Sequence, residues 1–328
     1  MSQPLPPIID VHAHSMLASW RNALKRKDGS ETATFEGVAI PDWDPATAID
    51  VMDQNGIQAM LLSNPVGTKD FTSSEAVPLA RQMNEELASI IQRHPTRFGA
   101  FAVLPLQDVD ACVKEIEYCL DTLEFDGVCL QTSFEGAYPG DSRFEPIFAE
   151  LDRRRSVAFV HPATPAYSSA LSLPLIPGIM EYPFDSTRAV ASLVLSGMRR
   201  RYPDFRYIST HGGGTIPYLA HRIAFVAGRR GSGYGTEFDY EGIMADFRNI
   251  HYDLAIATTK PQLAAMQAFV PVNQLLMGFD YPMVAASHIQ PMLRGVLESG
   301  LFDDHELAAI ARNNARALFP RLAKRLGT

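Results

Sequence analysis

The sequence is poor in cysteine, has no excess of basic charge and contains no long apolar run, and each shortage removes a class of function. Its three cysteines, Cys112, Cys119 and Cys129, are odd in number and follow no Cys-x-x-Cys spacing, which argues against a disulfide framework and a thiolate zinc site and fits a reducing cytoplasm. Cys112 and Cys119 stand seven apart in a helical pattern, the spacing of two residues buried on one face. Lys and Arg total 29 against 37 Asp and Glu, for a net charge of -8, so the chain offers no electrostatic footprint for nucleic acid or an anionic membrane. No apolar stretch reaches the roughly 20 residues of a membrane span, and the start Met-Ser-Gln-Pro-Leu-Pro-Pro lacks the basic and apolar regions of a secretory leader. What remains is a 328-residue chain, 46% hydrophobic and 20% charged, with the composition of a globular protein that buries a large core. A cytoplasmic protein acting on a small molecule is the expectation.

Apolar runs alternate with helical periodicity along the whole chain. Strand-like segments at 8–12, 57–63, 98–104, 126–131, 156–160, 205–210, 250–254 and 274–279 are followed by helix-like segments at 45–55, 75–93, 108–122, 143–154, 185–200, 215–227, 260–269 and 288–299. Asp44-Pro45 has the chemistry of a helix start and Asn55-Gly56 that of a helix end. Eight strand–helix units without a linker predict one α/β domain over 1–328, a closed (β/α)8 barrel, with a doubly wound open sheet second. Residues 303–326 are expected as extra C-terminal helices packed outside. Two stretches without clear periodicity, 15–44 and 162–184, the second rich in proline, are expected to be long loops walling a pocket.

The polar residues sit where such a barrel carries its chemistry, at the carboxyl ends of strands. His12-Ala13-His14 closes the first strand, and side chains two apart in a strand point the same way, which makes the pair half of a chelate. His161 closes the fifth strand, His211 the sixth and Asp280 the eighth. Neutral imidazole and carboxylate are common ligands of divalent ions. His161 alone would read as a core histidine; its companions make it a ligand. Asp280 could serve as ligand, proton carrier or both, and Asp10 is read as orienting an imidazole or capping the strand. His211 suits acid–base work because an imidazole titrates near neutral pH. Gly212, Gly213 and Gly214 let backbone crowd the pocket. His288 follows the eighth strand closely, and with Trp43, Tyr138 and Phe184 it is held as a candidate for the substrate pocket.

Asp10-Val-His-Ala-His14, Val160-His161-Pro162, Ser209-Thr-His-Gly-Gly-Gly214 and Gly278-Phe-Asp-Tyr-Pro282 together resemble the amidohydrolase superfamily. Within it the chain is similar to the branch typified by aminocarboxymuconate-semialdehyde decarboxylase, and Glu181–Arg188 and Pro217–Arg222 resemble its methylsalicylate and dihydroxybenzoate decarboxylase members. The resemblance covers nearly the whole chain. It implies that His12, His14, His161 and Asp280 bind one divalent metal, zinc most often with manganese as the alternative, and that no organic cofactor is needed. It also implies that His211 stands beside the metal as acid or base, and that Arg222 reaches across a homodimer, or a higher homo-oligomer, to a substrate carboxylate.

One departure from binuclear members of the superfamily narrows the metal count, and one from the founding decarboxylase narrows the substrate. Binuclear members carry a bridging Lys or Glu at the end of strand four, and Gly127-Val-Cys-Leu-Gln-Thr-Ser133 has neither, which favours a single ion. The founding decarboxylase has a second carboxylate-gripping Arg in the stretch corresponding to Trp43–Ile49, where this chain has alanines and a threonine. The expected activity is a non-oxidative decarboxylation of a small aromatic or unsaturated acid with one carboxylate. The rivals are a mononuclear hydrolase of a lactone, ester or amide, and a metal-stabilised binding protein without turnover.

Overall fold

The computed structural model describes residues 7–35, 38–64, 66–171, 175–229 and 236–327; the N-terminal hexapeptide and, within the two long segments, Glu36, Gly37 and Ser172–Pro174 lie outside it. Eight strands form the wall: β1 Ile8–His14, β2 Ile57–Ser63, β3 Phe98–Val103, β4 Gly127–Gln131, β5 Val157–His161, β6 Arg206–Ser209, β7 His251–Asp253 and β8 Leu275–Leu276. They pair in sequence order and in parallel. The ends meet where Val11 N donates to Met277 O at 3.0 Å and His14 N to Tyr281 O at 2.7 Å, so the sheet closes into the expected barrel. No helix among the described residues is long and apolar enough to cross a membrane.

Local chemistry sets the helix boundaries. Asp44 accepts hydrogen bonds from Ala46 N and Thr47 N at 2.9 and 3.0 Å and starts the helix Pro45–Asn55, which Gly56 ends at a left-handed φ of 69°. Two segments read as loops contain helices. Ala18–Asp28 is helical, and so is the second long segment from Pro177 onward. The first has no side-chain cap of its own; Glu86, on another helix, accepts from Ala18 N at 2.9 Å and Ser19 N at 3.0 Å, a cap that no local pattern reveals.

Inside the barrel the floor is apolar. Ile9, Val11, Leu61, Phe101, Phe159, Ile208 and Leu276 pack together there, Phe101 and Phe159 stacking at 4.8 Å. The C-terminal helices were expected outside the wall; instead they plug this floor, because Ala315, Phe319 and Leu322 form a buried stripe that joins the same cluster. Buried Asp126 fastens the plug, accepting from Leu322 N at 3.1 Å and pairing with Arg325 at 2.9 Å. All three cysteines are free and buried.

In β1 the pairing with β2 shifts register between Asp10 and Ala13. Ile9 and Val11 fill the floor, yet His12 and His14 also meet interior residues while Ala13 joins the layer under the helices. The shift reverses the phase of the side chains, which is what a bulge does. One strand thereby supplies both floor and mouth.

Candidate active site

At the mouth, His12, His14, His161 and Asp280 offer ligand atoms that all lie within 4.8 Å of one another, and all four residues are buried. The Nε2 atoms of His12 and His161 are buried with no hydrogen-bond partner. Buried polar atoms are nearly always paired, so two orphaned imidazole nitrogens converging beside a carboxylate fit a divalent cation.

The opposite ring nitrogens are each held. His12 Nδ1 lies 2.9 Å from Asp253 Oδ2, His14 Nδ1 2.8 Å from Ser63 Oγ and His161 Nδ1 2.8 Å from Pro162 O. These contacts turn the Nε2 edges inward. Asp280 Oδ1 is 2.7 Å from His14 Nε2 and 3.4 Å from His12 Nε2. Burial would raise the Asp280 pKa, but the imidazoles of His12 and His14 beside it hold it well below the carboxylate range. Burial likewise works against charge on His12, yet Asp253 and Asp280 push its pKa up to about 10. His14 and His161 are both lowered, by burial first, and His161 also by its histidine neighbours. Asp10 accepts from His12 N at 2.9 Å and Phe279 N at 3.2 Å, and burial raises its pKa to about 8; it braces the backbone on either side of the pit.

His211 stands against this group, its ring centroid 4.8 Å from that of His12 and 5.3 Å from that of His161. Its φ of 54° is left-handed, a conformation that costs a non-glycine residue about 1–3 kcal/mol and persists only where surroundings enforce it. Asp253 Oδ1 accepts from His211 N at 3.0 Å, and His211 Nδ1 lies 3.3 Å from Ala255 O. Burial, then His12, lowers the His211 pKa. The following Gly214 has φ 63°, and a Cβ there would come within 1.9 Å of Pro183 O, so only glycine lets this turn press against the neighbouring helix.

Above the pit lies a cavity of about 430 Å³ with His161, His211 and Asp280 at its base, a size suited to a small molecule. Both long segments wall it, as expected: Met16, Trp20 and Ile40 from the first, Ala163, Ile179 and Tyr182 from the second, with Val66 and Val284 completing the apolar lining. No Lys or Arg is among the described residues that line it.

The structure thus brings His12, His14, His161, His211 and Asp280 together and leaves the expected substrate contacts elsewhere. Trp43 lines a separate hollow with Arg21, Lys25 and Glu86, and Trp20, on the intervening helix, faces the cavity. Tyr182 and Pro183 line the cavity, while Phe184, next on the helix, does not. His288 is exposed, with Met283 and Val284 in the wall instead. Tyr138 donates to buried Asp185 at 2.6 Å. Arg222 is exposed on the helix Ile216–Ala227. Asp253 and Ser63, missed in the sequence, also end strands, and testing every strand terminus for polar residues would have found them.

Comparisons with known proteins establish the family and the fold. The chain matches the amidohydrolase family over residues 9–321. It is 34% identical to a 6-methylsalicylic acid decarboxylase of Penicillium expansum over 325 residues, 96% of each chain. Its fold superposes on 5-carboxyvanillate decarboxylase from Sphingomonas paucimobilis with a TM-score of 0.85 at 20% identity, covering 97% of this chain and 99% of that one. A dihydroxybenzoic acid decarboxylase from Polaromonas, solved with manganese and 2-nitroresorcinol, gives 0.80 at 20% identity, covering 99% and 100%. The chain belongs to the amidohydrolase family, in the branch whose named relatives decarboxylate aromatic acids.

Proposed function

We propose that the protein is a metal-dependent, non-oxidative decarboxylase of a small aromatic acid that carries one carboxylate and apolar ring substituents. The observation that carries this reading is the joining of a four-ligand pit to an apolar cavity whose described lining contains no cation. With Arg222 of a neighbouring copy gripping the first carboxylate, a second would meet no cation among the described residues of that lining, at a cost of several kcal/mol. An alkyl group would meet Met16, Ile40 or Val284. The Penicillium relative is named for 6-methylsalicylic acid, an acid of this description.

His12, His14, His161 and Asp280 would hold one divalent ion, manganese or zinc; when bound, it supplies the positive charge that fixes and polarises the acid's oxygens. The chain's own groups handle the proton. Replacement of the carboxylate by hydrogen needs one proton at the ring carbon. That carbon takes the proton with a ring electron pair; the carbon–carbon bond then breaks, its electrons restore the ring, and carbon dioxide leaves. His211 Nε2, the nitrogen not turned toward Ala255 O, and the Asp280 carboxylate stand at the cavity base where this proton is moved. The apolar wall keeps water from the ring and favours the loss of charge as the acid becomes a neutral arene.

The helix Ile216–Ala227 exposes Tyr218 and Phe225 beside Arg222, and this supports a homodimer or higher homo-oligomer in which Arg222 grips a carboxylate in the neighbouring subunit's cavity. Incubation with salicylate, 6-alkylsalicylates and an aromatic dicarboxylate, with carbon dioxide recorded, tests the function. Release from the monoacids, highest for the alkylated ones, is expected. Turnover of a lactone, ester or amide with no carbon dioxide from any acid would overturn the proposal.

A further inference from the structure

Asp253, at the end of β7, is fully buried and spans two parts of the site that the sequence keeps 199 residues apart, His12 and His211. Its Oδ2 lies 2.9 Å from His12 Nδ1, and its Oδ1 accepts from His211 N and from Ala255 N, both at 3.0 Å. We propose that Asp253 is a positioning residue that couples the ligand pit to the acid–base histidine: one carboxylate fixes the tautomer of His12 and the backbone of His211. The inference rests on the reading of His12, His14, His161 and Asp280 as a metal site.

Asp253 Oδ1 already accepts from two backbone amides, and its Oδ2, facing His12 Nδ1 at 2.9 Å, is placed to accept the ring proton from that nitrogen. That turns Nε2 of His12, the orphaned atom of the pit, toward the place a cation would take, where binding displaces any proton it carries. The second oxygen acts on His211. Left-handed backbone at a histidine needs external support, and Oδ1 supplies it by gathering the amides of His211 and Ala255. The carbonyl of Ala255 then faces His211 Nδ1 at 3.3 Å, so the chain from Asp253 through Ala255 also directs the ring. Packing leaves the carboxylate little room to move. Gly278 lies against it, and a Cβ at that position would come within 2.7 Å of the His12 Cβ and 3.4 Å of the Asp253 Cβ.

Asp253→Asn keeps the shape and reverses the donor pattern. With its oxygen toward the two amides, the Asn NH2 donates to His12 Nδ1 and drives the ring proton to Nε2, where the cation must bind. With the amide turned, NH2 opposes two backbone N–H groups. Metal affinity is measured by competition with a chelator, for zinc and for manganese, and kcat and KM are measured at saturating metal. The expected result is a Kd weakened roughly ten- to a hundredfold, and a kcat that stays depressed at saturating metal with KM little moved, because His211 has lost its alignment. A scaffolding role alone would lower Tm and leave Kd and the kcat of the folded protein unchanged, and that result would overturn the proposal while wild-type metal binding stood. If the variant does not fold, imidazole nitrogen shifts of the zinc-loaded wild type decide: His12 coordinated through Nε2 with a proton on Nδ1 supports the proposal, and coordination through Nδ1 contradicts it. A wild type that binds no ion overturns both this inference and the site reading.

Discussion

Below the plane of the strand ends, the rings of His12, His14 and His161 are each held from behind by a hydrogen bond to Asp253, Ser63 or Pro162. Above it, Trp20, Ile40, Tyr182 and Val284 line the cavity from segments that lie between or beyond strands, one of them a helix capped by a distant glutamate. The pit is polar, buried and fixed by the barrel's hydrogen bonding; the cavity is apolar and shaped by packing, with rim residues such as Ile179 61% exposed. Pit and wall therefore divide the labour. Substitutions in the pit act on metal and chemistry, whereas those in the wall act on the choice of acid.

The sharpest way to break that division is within the pit itself. Asp280→Ala is expected to lose metal and turnover together, because it removes the only anionic ligand of the group. His211→Ala is expected to keep its metal and lose about 10²–10⁴-fold in kcat; metal content by elemental analysis beside kcat separates the two. Below the pit, Phe319→Ala should cost about 3–5 kcal/mol of unfolding free energy, read by denaturant titration, and leave the metal Kd of the folded protein unchanged because Phe319 packs on Phe101 in the floor cluster. In the wall, Val284→Asp should raise KM for an alkylated aromatic acid about tenfold, near 1.4 kcal/mol, by setting a charge against the ring, with kcat nearly kept. A fall in kcat as large as that of His211→Ala would erase the distinction between wall and pit.

The smallest effect concerns pH. His251 begins β7, and burial followed by Arg206 and Arg199 pushes its pKa down from 6.5 to about 4. A folded-state pKa below the unfolded value means that the fold prefers the neutral ring. The stabilisation is therefore fully present above pH 6.5 and is lost as pH falls from 6.5 toward 4. Denaturation midpoints across that window should show the loss, and His251→Asn should flatten it.

Much of the pit was legible because its residues end strands, and strand ends are marked by apolar runs that stop at a polar residue. His12, His14, His161, His211 and Asp280 could be placed at one mouth for that reason. The inward direction of His12 and His14 was not legible, since strict alternation from Ile9 and Val11 carries them to the wrong face and only the register shift in β1 reverses the phase. Asp253 escaped because its partners, His12 Nδ1 and the amides of His211 and Ala255, lie far from it in sequence or on the backbone. The wall was the least legible part. Trp43 and Phe184 are aromatic and close in sequence to the cavity, but helices with tertiary or absent caps turn Trp20 and Tyr182 inward instead. The C-terminal plug escaped for a similar reason: an apolar helical stripe shows that a face is buried, and nothing in it says against what.

The most direct test of the central claim is a single reaction run in deuterium oxide: metal-loaded protein with a 6-alkylsalicylate, with carbon dioxide measured and the arene isolated. One carbon dioxide per arene formed is expected, with one deuterium at the carbon that bore the carboxylate. Carbon dioxide absent from every aromatic acid, in a preparation that holds one metal ion per chain and opens a lactone or ester, would contradict it.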